Sequence, residues 1–331
     1  MTKRILSIDG GGIRGILPGQ ILVVLEEKLK AKTGNDDARI ADFFDMVAGT
    51  STGAILSAAY VCPDDNGNVK FTAQEALNFY LDEGDDIFDV GFWQKFTSMS
   101  GLTDEKFSAR ELERVLDNAF GETKLSELLK PTCLVSYDVS KRMPIIFTQH
   151  DAVKKSKDFL VKDVLRGSSA APTYFEAARI YSISPEKKKY VLIDGGMVAN
   201  DPALCAYSEA LNTFDDVSGI KDMVIFSLGT GKNLKRYSYS QIKDWGPLSW
   251  AKPSIDIALE GGPQMIEFHM ENIASTVDGS KFFRIQPELF GADTSLDNAS
   301  RDNLDALRDA GMENAKIHDA LLDEIVDVLV N

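Results

Sequence analysis

Short apolar runs alternate along the chain with longer stretches whose apolar positions recur every three or four residues. Residues 4–8 (RILSI), 43–49 (FFDMVAG), 133–139 (CLVSYDV), 144–148 (PIIFT), 190–194 (YVLID) and 223–229 (MVIFSLG) have the length and β-rich composition of strands. Helical spacing marks residues 16–29, 54–61, 73–82, 108–119, 202–213, 255–272 and 302–329. This alternation predicts an α/β fold, a mostly parallel central sheet with helices on both faces. The stretches 62–70, 84–106 and 229–253 carry Gly and Pro with little periodicity. They read as excursions from one domain spanning 1–331 rather than as boundaries.

Composition narrows the partners. With 331 residues and 44% hydrophobic content, the chain can bury a large core. Lys and Arg number 36 against 51 Asp and Glu, a formal net charge of −15. That balance argues against a nucleic-acid polymer as partner and against broad attraction to anionic lipid, so any membrane contact must be local. Cys62, Cys133 and Cys205 form neither a paired framework nor a metal-ligand spacing, which fits a reduced, cytoplasmic setting. The apolar run before Gly10 is too short for a signal-peptide core, and no run reaches the roughly 18 residues of a membrane span.

Two glycine-bearing turns carry the candidate chemistry. Gly10-Gly11-Gly12-Ile13-Arg14-Gly15 satisfies G-x-G-x-x-G between a predicted strand and helix, which invites a dinucleotide-binding reading. That reading wants an acidic residue at the end of the second strand, but there the chain runs into Gly49-Thr50-Ser51-Thr52-Gly53. Glycines without Cβ atoms can instead gather backbone N–H groups into an anion-holding concavity at a helix N-terminus. A tight turn alone would explain one or two of these glycines. The second turn matches G-x-S-x-G between strand and helix, the setting in which a serine is held on a sharp elbow. Of the three histidines, His269 and His318 lie in helical patterns and His150 in a polar turn, none with a supporting motif. Asp194 is the better base: it ends a predicted strand before Gly195-Gly196, although a plain Asp-Gly turn has the same look.

Taken together, the chain resembles the patatin-like phospholipases. The resemblance rests on Asp9 to Gly15, Gly49 to Gly53, Ser169-Ala170-Ala171-Pro172-Thr173-Tyr174-Phe175, Asp194-Gly195-Gly196 and, more weakly, Ser227 to Gly231, in order from residue 4 to about 231. It implies a three-layer sandwich, a Ser51–Asp194 dyad without histidine, and an oxyanion hole from Gly10, Gly11 and Gly12 with Arg14 fixing the loop. Gly49, Gly53, Gly195 and Gly196 would support these turns. The implied activity is hydrolysis of phospholipid or other lipid acyl esters through an acyl-enzyme, with no metal or cofactor. Ala54 and Asp201 depart from the family pattern, where Gly and Asn are common, without touching that chemistry. Ser169–Phe175 is expected to fold the chain tightly under the site.

Further expectations concern partners. A cytoplasmic enzyme of this kind would meet a membrane surface transiently. Phe88–Phe96, with Phe92 and Trp93, and Lys232–Lys252, with Lys235, Arg236, Tyr237, Tyr239, Trp245 and Trp250, combine rings with few acids or with cations. The same aromatics could pack a lid or a contact within a homo-oligomer. Bacterial lipases switched on by cyclic oligonucleotides in antiphage defence share the resemblance, so a cyclic nucleotide activator is a further expectation. Two competing readings are a binding or storage protein with little catalysis and a nucleotide-dependent oxidoreductase.

Overall fold

A computed structural model describes residues 2–81, 109–155, 157–232 and 236–331, so the 84–106 excursion with Phe92 and Trp93 lies outside the described residues. The strands are β1 (Lys3–Ile8), β2 (Met46–Thr50), β3 (Thr132–Asp138), β4 (Met143–Phe147), β5 (Ala178–Tyr181), β6 (Lys189–Asp194), β7 (Met223–Leu228) and β8 (Lys281–Ile285). The principal helices are α1 (Ile16–Thr33), α2 (Thr52–Tyr60), α3 (Ala73–Leu81), α4 (Ala109–Phe120), α5 (Gln149–Lys155) and α6 (Val161–Ser168). They continue with α7 (Gly196–Ala199), α8 (Ala203–Thr213), α9 (Pro247–Ser275), α10 (Arg301–Ile317) and α11 (Asp319–Val330).

The eight strands of the described residues join one sheet in the order β5-β6-β3-β2-β1-β7-β8, with β4 on β3. The run β3-β2-β1-β7-β8 is parallel, while β4 and β6 are antiparallel to β3 and β5 is antiparallel to β6. Side chains of a strand alternate between faces. Leu6, Ile8, Val47 and Phe226 accordingly enter one core with α1, α2 and α3, while Ile5, Met46, Ala48 and Ile225 enter another with α8 and α9. Strands β2 and β7 are buried throughout, as a sheet covered on both faces requires.

The structure adds to the sequence reading at several points. Strands β5 and β8 and helices α5 and α6 were not foreseen. The helix expected at 255–272 begins earlier, at Pro247, a residue suited to a first helical turn. The helix expected over 302–329 divides at His318, whose backbone leaves helical geometry (φ −96°, ψ 17°). Helix α10 packs closely on α1: a Cβ on Gly311 would come within 2.6 Å of Gln20 Cβ.

One feature of the topology positions the site. Strand β4 occupies one edge of β3 along Leu134–Asp138, so β2 and β6 must share the other edge. There β2 ends with Thr50 opposite Val135, and the antiparallel β6 ends with Asp194 opposite Ser136. The C-terminal ends of the two strands therefore meet head-on, bringing residues 51 and 194 together across 143 positions of sequence.

Candidate active site

Ser51 caps α2 immediately after β2, with φ 55° and ψ −123°. A non-glycine residue in such a conformation is strained by about 1–3 kcal/mol, so the surroundings must hold it there. They do so by close approach: a Cβ on Gly49 would lie 2.2 Å from Gly53 O, and one on Gly53 would lie 2.1 Å from Ile8 O. The Ser51 N–H donates to Ser168 Oγ at 2.9 Å, and Ser168 Oγ in turn donates to Val135 O at 2.5 Å. Ser168, at the end of α6, had no sequence signal beyond lying next to the Ser169–Phe175 motif.

Ser51 Oγ donates to Asp194 Oδ2 at 2.7 Å. The other carboxylate oxygen, Oδ1, accepts the Gly196 N–H at 2.7 Å. Asp194 is only 2% exposed. Burial pushes its pKa from 3.8 up to about 6, with the Gly196 and Ser51 hydrogen bonds opposing the rise. Gly195 must lack a side chain, because a Cβ there would meet Val135 O at 2.3 Å. The Asp194 and Gly195 amides donate to Ala170 O and Ser168 O, so the turn starting at Ser168 braces Asp194.

The glycine loop lines the same pocket as Ser51 and Asp194. A Cβ on Gly10 would lie 3.3 Å from Ser51 Cβ. The expectation of three available amides is narrowed, because the Gly10 N–H donates to Asn200 O at 3.0 Å. The amides of Gly11 and Gly12 have no protein partner among the described residues and are the donors left for a ligand. Gly12 requires its lack of side chain twice over, at φ 57° and with Leu296 O 2.2 Å from where a Cβ would stand.

Arg14 lies within the loop and lines the same pocket. It is buried, its Nε and Nη1 have no hydrogen-bond partner among the described residues, and Nη1 forms a long ion pair with Glu260 at 3.8 Å. Burial lowers its pKa, with Glu260 opposing. Other groups hold the loop. Asn200 Nδ2 and Thr230 Oγ1 both donate to Gly10 O, at 3.1 and 2.8 Å, and the Ile13 N–H donates to Leu296 O at 3.0 Å. Asp9, just before the glycines, receives both Nη atoms of Arg284 at 2.8 and 2.6 Å. Arg284 also reaches Asp201 at 3.4 Å and donates to Ser227 Oγ at 2.7 Å. Burial drives the Asp9 pKa up to about 7, with Arg284 pulling down and Asp201 adding to the rise. The departure at Asp201 is thus linked to the glycine loop through Arg284, contrary to expectation.

The remaining lining gives the pocket its apolar character: Ile55, Tyr80, Leu112, Tyr174, Phe175, Leu259 and Leu296 form its walls. Ser169–Phe175 therefore forms pocket wall as well as supporting turn. None of the three histidines lines this pocket. His150 lies 3.3 Å from Glu209, His269 is exposed, and His318 Nδ1 rests 2.9 Å from Asn314 O. Among the described residues no group of acidic, Cys or His side chains could hold a metal, and no helix is long and apolar enough to cross a membrane.

Comparison with known proteins places this geometry. Patatin-like protein 2 of Arabidopsis thaliana is 33% identical over 94% of this chain and 82% of its own length. The Solanum tuberosum protein named "Probable inactive patatin-3-Kuras 1" is 32% identical over 93% of this chain and 84% of its own. Similarity thus extends well past residue 231, where the motifs end. The solved structure of VipD from Legionella pneumophila covers 96% of this chain and 67% of its own at 13% identity and a TM-score of 0.39, too slight a likeness to add to these. The family model for patatin-like phospholipase matches residues 6–207, which includes Ser51, Asp194 and the glycine loop. The chain belongs to the patatin-like phospholipases, a family of lipid acyl hydrolases.

Proposed function

We propose that this protein hydrolyses fatty acyl esters of phospholipids with Ser51 as nucleophile and Asp194 as general base. The observation that carries the proposal is the 2.7 Å hydrogen bond from a strained, elbow-held serine to a buried carboxylate. Asp194 takes the hydroxyl proton as Ser51 Oγ bonds to the ester carbonyl carbon. The carbonyl oxygen becomes an oxyanion facing the Gly11 and Gly12 amides, whose partial positive charge is fixed in place before reaction. As the tetrahedral intermediate collapses, the ester C–O bond breaks and the proton passes to the leaving alkoxide, giving a lysolipid and an acyl-enzyme. Water then attacks the acyl carbonyl with Asp194 again accepting a proton, and the fatty acid leaves as Ser51 recovers its hydrogen.

A carboxylate is a weaker base than imidazole, and its burial offsets part of that deficit by raising its proton affinity. The apolar lining suits an acyl chain. The same features weigh against a storage or binding protein, since a strained serine and a desolvated carboxylate both destabilise the fold and contribute nothing to passive binding. The test is acyl release from a short p-nitrophenyl ester and from phosphatidylcholine. Both should be hydrolysed by the wild-type chain and neither by Ser51→Ala. A Ser51→Ala protein that retains the wild-type rate would remove the proposal.

A further inference from the structure

We infer that residues 236–252 seat the protein on an anionic lipid surface, an inference that rests on the reading of a lipid substrate. The chain as a whole is strongly acidic, at −15. Between residues 232 and 252, however, the sequence holds five cations, Lys232, Lys235, Arg236, Lys243 and Lys252, against one acid, Asp244, with Lys243 3.8 Å from Asp244 and Lys232 3.9 Å from Glu267 of α9. The acids of α9, beginning with Asp256, all follow Lys252. The segment is therefore a local island of positive charge whose sign complements an anionic bilayer.

Its apolar groups are arranged as such a surface would use them. Leu248 is 94% exposed and Tyr239 80% exposed. In the same segment Tyr237, Trp245 and Trp250 are half-buried and pack edge to face, with centroids 5.2 Å apart for Tyr237–Trp245 and for Trp245–Trp250. Single exposed apolar residues are ordinary on a soluble protein. A Tyr-Trp-Trp cluster in one short segment with an exposed leucine, an exposed tyrosine and several cations is the composition that the headgroup boundary favours. The segment is also coupled to the proposed site. Its last residues form the first turns of α9, and Leu259, about 10 Å beyond Lys252 along that helix, lines the pocket while its carbonyl accepts from Asn200 Nδ2 at 2.7 Å.

The experiment is vesicle flotation of the full-length chain in a Ser51→Ala background, so that the vesicles stay intact. Vesicles of phosphatidylcholine alone are compared with vesicles containing about one third phosphatidylglycerol. The protein should float with the anionic vesicles and much less with the neutral ones. A Lys or Arg near an anionic surface contributes about a fivefold gain in binding, so Arg236→Glu with Lys243→Glu should weaken it at least about 25-fold. Leu248→Glu with Tyr239→Glu should weaken binding to both vesicle types, with thermal unfolding midpoints confirming that the variants are folded. Flotation unchanged in both folded double variants would overturn the inference. So would variants that float normally but convert a dimer to a monomer on gel filtration, because the face would then belong to a second copy of the chain. Failure of the underlying reading looks different: the Ser51→Ala protein would float as described while the wild-type protein releases no acyl group from a soluble ester.

Discussion

Replacing Asp194 by Asn should stabilise the fold while removing the activity, by an amount that depends on pH. In the native protein the Asp194 pKa is raised from 3.8 to about 6 by burial. A carboxyl group shifted upward binds its proton more tightly folded than unfolded, so its favourable contribution is present at low pH and is lost as pH climbs from about 4 to 6. At about 1.4 kcal/mol per pH unit, that loss is about 3 kcal/mol by pH 8. Asparagine carries no charge, and its side-chain oxygen can still accept the Gly196 N–H. Asp194→Asn should therefore exceed the wild type by up to about 3 kcal/mol at pH 8, and by about half that at pH 5. For a chain of this length the full difference is about 4 °C in unfolding midpoint. Paired thermal scans at pH 5 and 8 would read it, alongside ester hydrolysis slowed by about 10²–10⁴ from loss of the base. An Asp194→Asn protein no more stable than wild type at pH 8, or with a gap that fails to narrow at pH 5, would refute the claim that a desolvated carboxylate sits beside Ser51.

Other perturbations address the rest of the site. The pH profile of kcat/KM should fall below about pH 6 as Asp194 becomes protonated and can no longer accept the Ser51 proton; a profile flat from pH 7 to 5 would contradict that role. Gly11→Ala places a Cβ 2.2 Å from Thr230 Oγ1 and should displace the loop amides, lowering kcat by about 10²–10³. If turnover by this variant matches the wild type, the Gly11 amide is not an oxyanion donor. Arg284→Met leaves the Asp9 and Asp201 carboxyls buried without their cation and should destabilise the fold by about 3–5 kcal/mol, measured by urea denaturation at pH 8. The loss should shrink as pH falls from 8 toward the raised pKa of Asp9, about 7, since a protonated carboxyl no longer needs the cation.

Much of this arrangement could be read from the chain because its signals are local. The elbow at Ser51 and the turn at Gly195 announce themselves through glycines whose neighbours lie within a few residues or on the adjacent strand. Central strands such as MVIFSL stand out because they are buried on both faces. The parts that escaped notice depend on distant partners. Arg284 meets Asp9 across 275 residues, and nothing near it in sequence distinguishes it from a surface cation. Asn200 reaches back 190 residues to Gly10, and Ser168 holds the Ser51 amide from 117 residues away. Strand β5 is a four-residue edge, too short to show a pattern, and α6 is eight residues long with Gly167 near its end. The availability of the Gly10 amide likewise could not be judged until Asn200 O was placed against it.

The central claim is that Ser51 becomes acylated, and a serine-directed fluorophosphonate tests it most directly. Intact-mass and peptide analysis after treatment at pH 8 should find one adduct, on Ser51, absent from Ser51→Ala and formed much more slowly in Asp194→Asn. Modification of a different residue, or a Ser51 that stays unmodified while the enzyme hydrolyses ester, would contradict the account.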